Sequence, residues 1–143
     1  MIRFALHCTP TPQARVRHGV VNGRSMAFKS SGQRANERTL DALLAPYVPK
    51  QPLDGPVALE FIASMPVLRS ASKRARAAML SGFLLPTKKP DLDNLAKQLQ
   101  DAMTRLQFWR DDRQIVRLVC EKRYAEVGRW EVCVREIQEG KTL

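Results

Sequence analysis

Ile2, Phe4, Leu6 and Cys8 alternate with Arg3, Ala5, His7 and Thr9, a period of two that predicts a half-buried first strand. Residues 9–12, Thr-Pro-Thr-Pro, end it, because proline cannot donate to a ladder. Asn22-Gly23 then lies between Val20-Val21 and Ser25-Met26-Ala27-Phe28, and an Asn-Gly pair between strand formers predicts a hairpin. Arg15, Arg17 and His18 make that hairpin basic. Residues 33–45 predict a helix ended by Pro46, and residues 57–63 a solid strand closed by Met65-Pro66. Residues 69–80 predict a basic helix stopped by Gly82, before a lysine-rich loop at 86–90. Residues 114–124 and 129–137 predict two strands joined across Gly128, with Trp130, Val132 and Val134 on one face. No repeat or linker divides the chain, and strands and helices mix without strict βαβ alternation. The expectation is an α+β fold, a small mixed β-sheet packed with two or three helices, in a single domain over residues 1–143.

The clearest helical period lies beyond residue 90. At about 100° per residue, Leu92, Leu95, Ala96, Leu99, Ala102, Met103 and Leu106 form one stripe that buries against the sheet. Asp93, Asn94, Lys97 and Asp101 fall opposite, and Asp93, Lys97 and Asp101 stack at i, i+4 and i+8. Asp91 sits just before the helix, where Pro90 keeps the chain extended. Phe108-Trp109 follow as core anchors, and Asp111-Asp112 form a second carboxylate pair immediately before a strand.

Composition narrows the class. With 44% hydrophobic residues in 143, the chain can bury a core without disulfides or a structural metal. No apolar run approaches the roughly 18 residues of a membrane span, and residues 1–12 lack the apolar core of a signal peptide. A cytoplasmic protein is expected. Cys8, Cys120 and Cys133 are far apart, with no CxxC pair and only His7 and His18 as companions, which excludes a zinc site of usual spacing. Twenty-four Lys and Arg against fourteen Asp and Glu give a net charge of +10. That balance calls for a polyanionic partner, and nucleic acid suits it better than a membrane, since no basic helix here has a strongly apolar face.

Against that background the gathered carboxylates stand out. Taken singly, each has an ordinary structural reading: Asp91 or Asp93 as a helix cap, Asp93 and Lys97 as a surface ion pair, Asp111-Asp112 as turn residues. Taken together, crowded like charges at a helix start and a turn repel and need cations to offset them. Oxygen ligands without histidine or thiol suit Mg²⁺, with Mn²⁺ as a substitute. Such an ion, held by Asp91, Asp93 and Asp112, can activate water and clamp a phosphate, while Lys97 offsets developing charge.

These residues resemble the RusA family of Holliday-junction resolvases, the crossover-junction endodeoxyribonucleases. The likeness rests on Lys89-Pro90-Asp91-Leu92-Asp93-Asn94-Leu95-Ala96-Lys97, on Asp101-Ala102 four residues later, and on Phe108-Trp109-Arg110-Asp111-Asp112-Arg113-Gln114-Ile115-Val116. The spacing of nineteen between Asp93 and Asp112 matches too. The resemblance implies that Asp91, Asp93 and Asp112 hold the catalytic magnesium and that Lys97 is the essential lysine, with Asp101 and Asp111 as second-tier candidates. It also implies a homodimer that nicks two strands of a four-way junction symmetrically, in recombination and repair in a bacterial or phage-infected cell, with no small-molecule cofactor.

Candidate phosphate contacts are Arg69, Lys73, Arg74, Arg76, Lys88 and Lys89 ahead of the site, and Arg15 and Arg17 near the N-terminus. The two histidines are bystanders, since a metal-bound water needs no imidazole base. The alternatives are a metal-dependent nuclease for flaps, forks or RNA, and a non-catalytic basic DNA-binding module.

Overall fold

The computed structural model describes residues 1–11 and 17–140, Arg17 by its backbone alone. Four strands form one mixed sheet: β1 (Ile2–Leu6), β4 (Val57–Pro66), β5 (Ile115–Ala125) and β6 (Arg129–Glu136), in the spatial order β1-β6-β4-β5. Strands β2 (Arg17–Val21) and β3 (Arg24–Phe28) form a separate two-stranded ribbon. Three helices complete the α+β fold expected from the sequence: α1 (Ser31–Leu44), α2 (Lys73–Leu80) and α3 (Leu92–Arg105).

The predicted hairpin turn is present. Asn22 and Gly23 both take positive φ, 51° and 73°, as a two-residue turn matched to strand twist requires. The basic helix is shorter than expected: it starts at Lys73, because the Ser72 hydroxyl accepts from the Ala75 N–H at 3.1 Å and sets the first turn. Arg69 therefore lies in the preceding turn. The last two strands differ from a hairpin. β6 runs antiparallel to both β1 and β4, while β5 runs parallel to β4 on its other side. β4 thus separates two strands that are adjacent in sequence, and the parallel pairing uses the long crossover carrying α2 and α3. The tight passage between β5 and β6 needs glycine at 128, where a Cβ would fall 2.8 Å from the Thr9 Cα.

Register brings one face of each strand together. Phe4, Val132, Phe61 and Cys120 form one cross-strand row, and Leu6, Trp130, Ala63 and Lys122 the next. Leu95, Leu99, Ala102 and Met103 of α3 bury against this face together with Leu40 and Leu44 of α1. The stripe read from the sequence is the buried one, with Leu92 and Leu106 half-buried at its ends. The Arg105 guanidinium donates to both Asp41 oxygens, at 3.1 and 2.6 Å, and ties α3 to α1.

Phe108 and Trp109 are fully buried, as expected of core anchors, and the Trp109 Nε1–H donates to the Thr104 hydroxyl at 2.7 Å. They bring the chain back from α3 toward the start of β5. Because Leu99 is fully enclosed, Leu99→Ala should lower stability by about 3 kcal/mol. Urea denaturation should show a lower midpoint with an unchanged slope.

Candidate active site

The N-terminal half of α3 and the first half of β5 enclose an open depression. It is lined by Leu92, Asp93, Ala96, Lys97, Gln100, Asp101, Asp112, Leu118 and Cys120. The apolar members are its floor, contributed by the sheet face and the helix underside. Asp93, Lys97 and Asp101 line one wall from the helix, and Asp112 reaches it from the 3-10 turn at Asp112–Gln114. From Asp93 to Asp101 the wall runs about 12 Å along the helix axis.

Asp91 occupies the N-cap position of α3 with extended backbone, φ −72° and ψ 139°, yet its carboxylate makes no capping hydrogen bond. It is exposed and lies outside the residues that line the depression. Lys97 pairs with Asp101, Nζ to Oδ2 at 3.2 Å, across one helical turn. The ordinary ion pair considered for Lys97 is therefore present, but with the following aspartate and not with Asp93. Both partners are partly exposed, so the pair is worth roughly half a kcal/mol and is easily exchanged for another anion.

The two neighbouring aspartates at the start of β5 have different occupations. Asp111 caps the 3-10 turn: its carboxylate accepts from the Arg113 backbone N–H at 2.9 Å and from the Arg113 guanidinium at 2.9 and 3.1 Å. Those bonds, the guanidinium contact foremost, hold the Asp111 carboxyl down at about 2. Asp112 is exposed at the first position of the turn and faces the depression.

Two side chains that sequence reasoning missed fix this framework. The Gln114 carboxamide accepts from the N–H groups of Arg110 and Asp111 at 2.8 and 2.9 Å, and donates to the carbonyls of Leu53 and Gly55 at 2.8 and 3.1 Å. All four of its hydrogen-bonding positions are thus used. Lys122, on the same sheet face as Leu118 and Cys120, donates to the carbonyls of Lys88 and Pro90 at 2.8 and 2.9 Å. It draws the segment leading into Asp91 onto β5. The glutamine of the Asp111–Gln114 capping box was a readable signal; nothing local marks Lys122.

The donor set at the depression is oxygen. The Cys120 thiol is pushed up by burial and so stays protonated near neutrality, which makes it a poor metal ligand. Among the described residues, no three His, Cys, Asp or Glu side chains are gathered closely enough to cage a metal ion. Magnesium does not require such a cage, since it is commonly held by one or two carboxylates with the remaining positions taken by water and substrate phosphate. The carboxylates of Asp93 and Asp112 fit that requirement.

Of the candidate phosphate contacts, Lys73, Arg74, Lys88 and Lys89 are exposed, as is Arg69. Arg76 is engaged with Glu126 at 3.0 Å. Arg15 and the Arg17 side chain lie outside the described residues, and His18 is exposed on β2. Among the described residues no helix is long and apolar enough to cross a membrane.

A basic α+β chain with carboxylates and a lysine around one depression has the make-up of a phosphodiester-cleaving enzyme, and comparison gives that class a name. A family model described as Endodeoxyribonuclease RusA matches residues 7–135. The chain belongs to the RusA family and is an endodeoxyribonuclease, as the motifs at 89–116 led us to expect. It is 32% identical over 134 residues to the crossover junction endodeoxyribonuclease rusA of Lactococcus phage r1t, covering 94% of this chain and 95% of that protein. It is 30% identical over 138 residues to the uncharacterized protein YqaN of Bacillus subtilis (strain 168), covering 95% and 96% of the two chains.

The low Asp111 value has a consequence for acid stability. Its folded pKa lies below the ordinary 3.8, so the cap contributes fully above about pH 4 and is lost as pH falls toward 2. Asp111→Asn should therefore be less stable than the parent at pH 6, with a deficit that shrinks between pH 4 and pH 2.5 in urea titrations.

Proposed function

We propose that this chain is a magnesium-dependent, structure-selective DNA endonuclease that resolves four-way junctions by paired symmetric nicks. It would act as a homodimer in the cytoplasm, through one domain spanning residues 1–143. The observation that carries the reading is the shared depression of Asp93, Lys97 and Asp112 in a chain of net charge +10 that belongs to an endodeoxyribonuclease family. The name of the phage relative supplies the junction substrate.

In this reading Asp93 and Asp112 would hold the ion, and Asp91, whose carboxylate is free of capping duty, would be the third ligand. Bound there, Mg²⁺ or Mn²⁺ supplies Lewis acidity and a water of lowered pKa. Lys97 leaves its exposed pair with Asp101 for a non-bridging phosphate oxygen, where its charge counters the charge that builds up in the transition state. The Gln114 and Lys122 hydrogen bonds hold the two carboxylate-bearing segments in register. Asp101 restrains Lys97 between turnovers. Arg69, Lys73, Arg74, Arg76, Lys88, Lys89, Arg15 and Arg17 contact the backbone without reading sequence. A two-fold dimer suits two equivalent scissile phosphates.

The test is cleavage of synthetic four-way junction, flap, duplex and RNA substrates with Mg²⁺, Ca²⁺ or EDTA. Paired nicks in the junction that vanish in EDTA are expected, and binding without cutting under every metal condition would refute the reading. Asp93→Asn should abolish cleavage while junction binding holds or tightens, because it removes a ligand and a repulsive charge together; near-normal cutting would remove Asp93 from the site. Lys97→Ala should lower the cleavage rate by roughly 10²–10³-fold and affinity far less. An equal loss in both would recast Lys97 as a phosphate anchor.

A further inference from the structure

Three consecutive apolar residues after α2, Phe83, Leu84 and Leu85, point into solvent, and Phe83 is 85% exposed. This segment is held by hydrogen bonds at its base. Gly82 turns the chain at φ 82°, and the N–H groups of Gly82 and Leu84 return to the carbonyls of Met79 and Ala78 at 3.2 and 2.9 Å. Beyond it Pro86 is buried, and Lys122 clamps the carbonyls of Lys88 and Pro90. The chain thus presents an apolar tip on a fastened base. Folding gains no hydrophobic stabilisation from the most exposed of these side chains.

The surrounding charge selects the occupant. Between Glu60 and Asp91 there is no acidic residue, while Arg69, Lys73, Arg74, Lys88 and Lys89 fall there exposed, beside an Arg76 that is paired with Glu126. A two-fold contact between two copies would bring this cationic segment against itself, which costs energy. A polyanion with apolar faces accessible inside it fits both the charge and the tip. Duplex DNA hides its base faces in the stack; a branch point interrupts the stack and exposes them. Phe83 also lies eight residues before Asp91, so the two backbones are at most about 28 Å apart, less than the roughly 34 Å of one duplex turn. A base contact at the branch and a cut on the same arm are within one molecule's reach.

We propose that Phe83, supported by Leu84 and Leu85, is an apolar probe that stacks on bases exposed at a DNA branch point and so supplies preference for branched over continuous duplex. The proposal rests on the reading of the chain as a junction endonuclease. It explains how a site made of carboxylates and lysines, which meets the same phosphates everywhere, could be aimed at a particular DNA shape.

The experiment measures binding of the full chain to a synthetic four-way junction and to a duplex of the same length, in Ca²⁺, with 2-aminopurine at the branch. Phe83→Ala should weaken junction binding roughly tenfold and change duplex binding by less than about twofold. The branch-point fluorescence change should be lost, and Phe83→Trp should restore both. Unchanged junction affinity, or an equal loss on junction and duplex, would overturn the probe. So would a Phe83→Ala variant that turns a dimer into a monomer in sedimentation, or Phe83-dependent binding to phosphatidylserine vesicles with DNA binding intact. Cleavage in Mg²⁺ separates this proposal from the one beneath it. A protein with Phe83-dependent junction preference that cuts nothing refutes the endonuclease reading and leaves the probe standing. One that cuts junctions equally well with and without the ring, at equal affinity, refutes the probe alone.

Discussion

The burial of one face of α3 against the sheet is the contact on which the remainder of the molecule depends. Leu95, Leu99 and Met103 are fully enclosed, and side chains in a close-packed interior have little freedom to shift. The helix is therefore fixed about its own axis, and its opposite face inherits that precision. Asp93 and Lys97 need no separate scaffold to be aimed. The bidentate Arg105–Asp41 contact and the enclosed Phe108-Trp109 pair extend the same control to the chain returning from the helix. Two carboxylate-bearing segments nineteen residues apart meet at one depression because the element between them is rigid.

Charge is divided unevenly within each acidic pair. Asp111 is committed to its turn and is held ionised by Arg113, whereas Asp112 beside it makes the outward approach to the depression. Asp91 takes a helix-cap position without doing a cap's hydrogen bonding, and Asp93, two residues on, faces the same open space as Asp112. Placing carboxylates near the positive end of a helix dipole eases their mutual repulsion. That lets a basic chain keep a local concentration of negative charge without a pre-formed cage.

Legibility in the sequence followed the range of the forces involved. The α3 stripe, the Asn22-Gly23 turn and the burial of Trp130, Val132 and Val134 could be read because each is set by local periodicity or a local φ requirement. Strand order could not: that β4 lies between β5 and β6 depends on a crossover closing over the sheet, and adjacency in sequence says nothing about it. The start of α2 was misjudged because Arg69 and Ala71 before Ser72 prolong the helical composition without a cap. Gln114 and Lys122 bond to backbone carbonyls 59 and 61 and 32 and 34 residues away, and no spacing rule reveals such partners. Phe83-Leu84-Leu85 is apolar in composition and exposed in the structure. Of the residues read as a site, Asp93, Lys97 and Asp112 line the depression and Asp91 does not, and the pairing of Lys97 with Asp101 was not read.

The β2–β3 ribbon stands apart from the four-stranded sheet, and every residue of β3 is exposed. Two strands alone are marginal in water, so the ribbon's order costs nearly as much conformational entropy as its own ladder returns. Its opening free energy lies far below that of β4, whose neighbours pair with it on both sides. The molecule thus carries a stiff half that positions chemistry and a soft arm that can change shape at little cost, and a ligand that orders the arm must supply that entropy from its own contacts.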